Sequence, residues 1–248
     1  MKLSWQRLFL LAGCFILWEL AVFFFSPSPL LVAPPSEVLI RLGKIFIGQS
    51  SVPDFYTNAG ITLQELVGAY GLSVAIGLPL GFFLALSRRA EAIFQPFVLG
   101  FFALPKVVLF PICFLIFGTE MLPKVIFGFM IGVFPVILNT QAGIRQVDPG
   151  YLLLARSAGY RSGAIFFKVM LPAAAPTVIA GFRLALGYCL IGVLAAELLV
   201  VNRGVGYLID WAAFQYFTPE LYALVLFTMI AGWIANAGLN RLEQLWQP

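Results

Sequence analysis

The chain has 248 residues, of which 61% are hydrophobic and only 10% charged, with a formal net charge of +4 and a mean hydropathy of +0.98. A water-soluble fold draws about a quarter of its residues from charged types, so the solvent for most of this chain is lipid. No histidine is present, which excludes His-dependent triads, zinc sites and haem ligation.

A helix crossing about 30 Å of hydrocarbon needs roughly 20 mostly apolar residues, and six stretches meet that test. They cover about 8–25, 61–86 (opening with the polar Thr62, Gln64 and Glu65), 94–117 (with Lys106 between Pro105 and Pro111), 124–144, 173–200 and 221–239. The fold class is therefore all-α, a single transmembrane domain over 1–248. The first stretch, preceded by Lys2 and Arg7, also has the outline of a secretory signal peptide. Its apolar run is too long for one, and Ser26-Pro27-Ser28-Pro29 offers no small-x-small cleavage site.

Between the first two spans, Ala33-Pro34-Pro35-Ser36-Glu37 stops any helix and leaves Ser36 to cap a new one through Val38, Leu39 and Leu42 along the outer surface. Basic residues orient the chain. With the N-terminus inside, Lys2, Arg7, Arg88, Arg89, Arg145, Arg156, Arg161, Lys168 and Arg241 face inward and outnumber Arg41, Lys44, Lys124 and Arg203 outside. Both termini then lie in the cytoplasm. Cys14, Cys113 and Cys189 sit far apart in apolar runs and read as buried structural thiols. Trp211, Tyr207, Tyr216 and Tyr222 crowd the last outer loop, 201–220, as an interfacial belt or as a contact for a substrate-delivering protein.

Gly77xxxGly81 and Gly128xxxGly132 each place two glycines on one helix face, for close packing within the bundle or for a dimer seam. A charge at the bilayer centre costs at least about 2.5–3.5 kcal/mol, which makes Lys106, Arg183 and Glu197 candidates for a translocation pathway. Arg183 lies about ten residues into the fifth span, about 15 Å deep; Glu197 is near its outer end. The alternative is that both pair with backbone carbonyls or neighbouring helices and fix packing. Lys106 stands beside proline breaks that free carbonyls, so its ammonium either satisfies those carbonyls or attracts an anion in a water-filled path.

The inner loop at about 145–172 begins with Asp148-Pro149-Gly150 and reads as a short helix ended by Gly159, then a second helical stretch from Ser162 to Met170 that stops at Leu171-Pro172. On physics alone, Arg156, Arg161 and Lys168 make it an amphipathic element that snorkels to anionic lipid headgroups. Ala155, Arg156, Ser157, Gly159 and then Leu171-Pro172 also resemble the EAA loop of binding-protein-dependent ABC importer permeases. The family pattern of Glu-Ala-Ala, three residues, Gly, nine residues, Ile, one residue and Leu-Pro falls on Leu153, Leu154, Ala155, Gly159, Val169, Leu171 and Pro172. Leu153 stands where the family has glutamate and Leu154 where it has its first alanine, so any salt bridge that the family's glutamate makes is absent, and coupling would have to rest on packing and on Arg156 and Arg161.

The resemblance continues through Ala103-Leu104-Pro105-Lys106, Phe117-Gly118, Ala195-Ala196-Glu197-Leu198 and Arg203-Gly204-Val205-Gly206-Tyr207, and is similar to the nitrate, taurine and alkanesulfonate branch. It implies a type I importer permease of six transmembrane helices with a cytoplasmic coupling helix, in the bacterial cytoplasmic membrane. The implied partners are a second copy of the permease, two ATP-binding ABC subunits that carry ATP and Mg, a periplasmic or lipid-anchored solute-binding protein and membrane lipid, with no nucleic acid.

No lysine is followed by Ser or Thr, so the phosphate-cradling GxxxxGK[ST] loop is missing and another chain must bind any driving ATP. No catalytic or metal-ligating set is expected, and no cofactor of the chain's own. The implied cargo is a small anion such as a sulfonate, taurine or nitrate, with a pyrimidine vitamin precursor as the alternative. A self-sufficient secondary transporter or channel, using Lys106, Arg183 and Glu197 as ion-coupling groups, is the rival mechanism. An intramembrane hydrolase lacks a base beside any serine.

Overall fold

A chain in lipid must satisfy every backbone N–H and C=O internally, and helices do so within one segment. The computed structural model describes residues 2–25, 28, 30–200 and 202–244. Its elements in chain order are α1 (Lys2–Phe25), α2 (Pro35–Ile47), α3 (Phe55–Leu86), α4 (Arg88–Ala103), a 3-10 turn (Lys106–Leu109), α5 (Phe110–Phe117), α6 (Met121–Arg145), α7 (Pro149–Ser157), α8 (Ser162–Ile165), a π-helical turn (Phe166–Met170), α9 (Leu171–Leu199), α10 (Val205–Phe214) and α11 (Thr218–Gln244). Among the described residues there is no strand. Ser26, Pro27 and Pro29, which bear on signal-peptide cleavage, lie outside the described residues, as do the side chains of Lys2 and Arg7.

Helical runs over Phe55–Leu86, Met121–Arg145, Ser162–Leu199 and Thr218–Arg241 are each long and apolar enough to cross a membrane. The first expected span is helical, with a shorter apolar portion at Ala12–Phe25. The third is two helices, Arg88–Ala103 and Lys106–Phe117, bent by 86°. Of the two prolines that flank Lys106, only one makes that break. Pro105 forces Leu104 into extended backbone, at φ −64° and ψ 138°. Pro111 instead sits in the first turn of α5, where a missing N–H costs nothing.

One compact unit comprises Met1–Ile61 and Glu197–Ala231. Its core joins Val38 and Ile45 of α2 to Phe55, Leu208, Ala212, Ala223 and Leu224. Phe55 lies edge-on to Phe46 and Phe227, with ring centroids 5.7 and 5.0 Å apart. The expected capping of α2 by Ser36 does not occur, because Pro34 is the capping position and Pro35 the first helical residue. Ser36 and its backbone N–H bond instead to the Glu19 carboxylate, at 2.8 and 3.1 Å. A carboxylate there complements the positive helix N-terminus as well as its free donor. The loop at 201–220, expected outside, carries α10, and Tyr207, Trp211 and Tyr222 pack on the core rather than forming a free belt. Tyr216 alone of the expected four is strongly exposed, beside exposed Phe214.

The other unit comprises Thr62–Ala196 and Gly232–Pro248. Here α3, α6 and α9 touch through glycines, as expected of bundle packing. A Cβ on Gly77 would lie 2.8 Å from the Val136 Cβ, one on Gly128 would lie 2.8 Å from the Ala69 Cβ, and one on Gly192 would lie 2.8 Å from the Gly128 Cα. Gly192 was outside both glycine motifs. Backbones this close gain dispersion contacts that lipid tails cannot supply. Cys113 and Cys189 are buried as expected, but Cys14 is exposed on α1, an apolar thiol on a helix surface that suits lipid.

Candidate functional site

The loop at 145–172, expected on the inner side, folds locally as its residues dictate. Pro149 opens α7 with its fixed φ, and the Asp148 carboxylate accepts from the Gly150 N–H at 2.7 Å. At the far end Gly159 adopts φ +76°, Tyr160 N–H donates to the Ala155 carbonyl at 3.1 Å, and Gly159 N–H donates to Arg156 at 3.0 Å. This pair of bonds is a Schellman stop, which requires a left-handed residue in Gly159's place.

α7 has two faces. Leu152 packs against a cluster of Ile144, Val147, Ala174 and Val178, with Phe166 and Met170 also against it, and Ala155 is buried. Leu153 and Leu154 turn outward at 63% and 69% exposure, together with exposed Tyr151. Ser157, Arg156 and Arg161 are exposed around them, and Lys168 stands 5.4 Å from the Tyr160 ring centroid. Of the loop residues named from sequence, Leu153, Leu154, Arg156, Ser157, Gly159 and Arg161 are exposed, Ala155 is buried, and Leu171 and Pro172 lie in the helical run beyond.

Those two do not stop a helix. Leu171 N–H donates to Phe166 across the π-helical turn, and Ser162–Leu199 is one 38-residue helical run. Pro172 follows where the bonding pattern already changes from the wide turn to the α-helical one, so its missing donor is absorbed.

The three intramembrane charges are not brought together. Arg183 donates to the Asn240 Oδ1 of α11 at 2.5 Å. Glu197 is wholly buried and its Oε2 accepts from the Gly206 N–H at 2.7 Å, in the first turn of α10. The next link is the Gly204 N–H, which donates to Asn58 Oδ1 at 2.8 Å. Gly204 holds φ +104°, and a Cβ there would fall on the Glu197 carboxylate. The carboxylate therefore caps α10, an anion at a helix N-terminus.

Lys106 follows the Pro105 break. Its Nζ donates to the Phe102 carbonyl at 2.9 Å, an acceptor left over because α4 ends at Ala103. The ammonium also lies 4.9 Å from the Phe134 ring centroid and 5.5 Å from that of Phe102. Beside it opens a cavity of about 330 Å³ whose other lining residues, including Ile76, Leu80, Phe97 and Phe134, are all apolar.

Sequence reasoning missed the ion pairs, two of which bear on the site. Lys124, counted from sequence as an outer-loop charge, is buried and lies 3.3 Å from buried Glu65. The signal was there in a carboxylate at the start of one span and a lysine at the start of another. Arg145 pairs with Glu91 and also donates to the Leu84 carbonyl at 3.2 Å, while Gln141 donates to Glu91 at 3.1 Å. These contacts hold the α3–α4 turn against the end of α6, beside the root of α7.

The sequence model of the binding-protein-dependent transport system inner membrane component matches residues 77–248. A putative aliphatic sulfonates transport permease protein of Bacillus subtilis (strain 168) is 30% identical over 218 residues, 88% of this chain and 75% of its own. The formylaminopyrimidine transport permease protein of Halalkalibacterium halodurans is 26% identical over 233 residues, 94% of this chain and 91% of its own. In fold, the inward-facing MetNI methionine ABC transporter superposes with a TM-score of 0.67 at 16% sequence identity, over 78% of this chain and 96% of its own. With most of its length matched, the inner loop and α9 included, the chain belongs to the binding-protein-dependent ABC importer permeases, the membrane-spanning transport components of that family.

Proposed function

We propose that this permease works as two copies above two ATPase subunits, with both termini in the cytoplasm and α7 as the coupling helix. The observation that carries the reading is the two-faced α7: Leu152 roots it against Ile144 of α6 and Ala174 and Val178 of α9, while Leu153, Leu154 and Arg156 are exposed, as is Arg161 just beyond it. Force on the outer face passes into the Ser162–Leu199 run, which is helical throughout. ATP binding and hydrolysis belong to the partner, since this chain carries no phosphate-cradling loop. With leucine at the position of the family's glutamate, the partner's groove meets an apolar knob there instead of an anion.

The cargo is a small anion of the sulfonate, taurine or nitrate class, delivered by an external binding protein. The relative named for aliphatic sulfonates supports this. A pyrimidine precursor is the second reading, favoured by the relative named for formylaminopyrimidine. Reconstituted vesicles containing the permease, its ATPase and its binding protein test the mechanism. Uptake should require ATP and persist when the proton gradient is collapsed. Uptake that ignores ATP and stops with the gradient would assign a secondary transporter instead.

A further inference from the structure

We infer that the π-helical turn Phe166–Met170 is a compliant joint between α7 and α9, the place where the long helical run yields as the partner ATPase moves α7. This rests on α7 being the coupling helix and names the point of flexure behind it.

The turn is the wide element in a run that is otherwise α-helical from Ser162 to Leu199. The Leu171 N–H reaches back to the Phe166 carbonyl, one residue further than an α-helical bond spans. Pro172 follows and supplies no N–H, so the Lys168 carbonyl has no α-helical donor. Two weak points in the ladder thus adjoin. Proline alone does not call for a wide turn. Pro176 lies about one turn further along the same run in α-helical geometry, and Pro79, Pro96 and Pro135 are carried the same way.

Packing does not call for it either. Phe166 packs against the cluster that holds Ala174 and Val178, and lies edge-on to Phe82 of α3 with ring centroids 5.3 Å apart. In an unbroken α-helix Phe166 would sit about 120° around the axis from Val178, and taking up one residue in a wider turn cuts this to about 20°. An α-helix one residue shorter would give the same angle of about 20°. The contact faces need only that phase. What the wide turn alone supplies is backbone that bends at low cost, and its position suits a joint. Phe166 and Met170 share their cluster with Leu152 of α7, and Lys168 stands over the Tyr160 ring just past the stop of α7. A load on α7 reaches this turn before it reaches the rest of α9.

Deleting Phe167, which is exposed, is the direct test, because it removes the extra residue and leaves both packing faces in phase. The assay is uptake of radiolabelled ethanesulfonate, of the class named for the Bacillus subtilis relative, by vesicles holding the permease, its ATPase and its binding protein. The deletion variant should insert, assemble and hydrolyse ATP, while uptake per ATP falls at least about fivefold. Phe167→Ala keeps the length and the turn, and should transport as the wild type does. Hydrogen exchange on the wild-type complex in nanodiscs reads the joint whether or not the deletion variant folds. Exchange over 166–171 should change at least about tenfold on adding a non-hydrolysable ATP analogue, with 136–144 of α6 unchanged. Wild-type uptake per ATP in an assembled deletion variant, an equal loss in Phe167→Ala, or exchange that ignores the nucleotide would overturn the joint and leave ATP-driven uptake standing. Wild-type uptake that needs no ATP would refute the coupling reading itself, and the joint with it.

Discussion

A buried carboxylate in a membrane protein needs donors placed around it, and Glu197 finds one in the Gly206 N–H at the first turn of α10. Glu197→Ala removes that acceptor and strands a buried donor, at a cost of about 1–3 kcal/mol; thermal unfolding in detergent should show a lower midpoint. Glu197→Gln keeps an acceptor and should lose less. Gly204→Ala should be worse than either, because its Cβ would occupy the carboxylate's place at a φ of +104°. The Lys124–Glu65 pair makes a different prediction, since a lone buried charge is far costlier than none. Lys124→Met and Glu65→Gln should each destabilise by about 3–5 kcal/mol, and the double variant should recover most of that loss. A double variant no more stable than the singles would contradict the pairing.

At the level of elements, prolines were the least legible residues. Pro79, Pro96, Pro135 and Pro176 lie inside helices, Pro111 and Pro172 stand in first turns, and Pro105 alone of the three in the third span breaks it. Whether a proline bends a helix depends on what satisfies the freed carbonyl, and that partner lies outside the local sequence. Gly159 was the opposite case. Its place after an apolar helical run, three residues past Arg156, marks a left-handed stop that no neighbour needs to supply. Gly159→Val should cost about 1–2 kcal/mol locally and misdirect α7, so co-purification of the ATPase and ATP-driven uptake should fall while the amount of inserted protein is unchanged. Gly159→Asn, which tolerates this backbone, should retain most of both. Unchanged uptake in Gly159→Val would leave the loop as a lipid-surface anchor.

For the whole molecule, the excess of basic residues on one set of loops sets the expected orientation, and burial of Lys124 removes one charge from the outer set without reversing the balance. Cysteines introduced at Ser162 and Gln215, both exposed, in a variant lacking Cys14, Cys113 and Cys189, should react with a membrane-impermeant reagent from the inside and the outside respectively. Reaction of both from one face would refute six spans with cytoplasmic termini. Removing Cys189 calls for a small replacement, because Cys189 packs against Gly132 and Ser73 in a glycine-lined contact.

Lipid as solvent, helices as the spanning element, the absence of histidine chemistry and the stop at Gly159 were all determined by the sequence itself. Each follows from composition or from the conformational preference of a single residue, and neither requires knowing which segments meet. The tertiary structure decided everything that depends on a partner distant in the chain: Glu19 rather than Ser36 at the start of α2, Glu197 under α10, Asn240 on Arg183, Glu65 on Lys124, and the Phe134 ring against the Lys106 ammonium. A polar group in a low-dielectric interior is defined by the donor or acceptor it meets, and which helices pack together, not how the residues are spaced, sets that meeting.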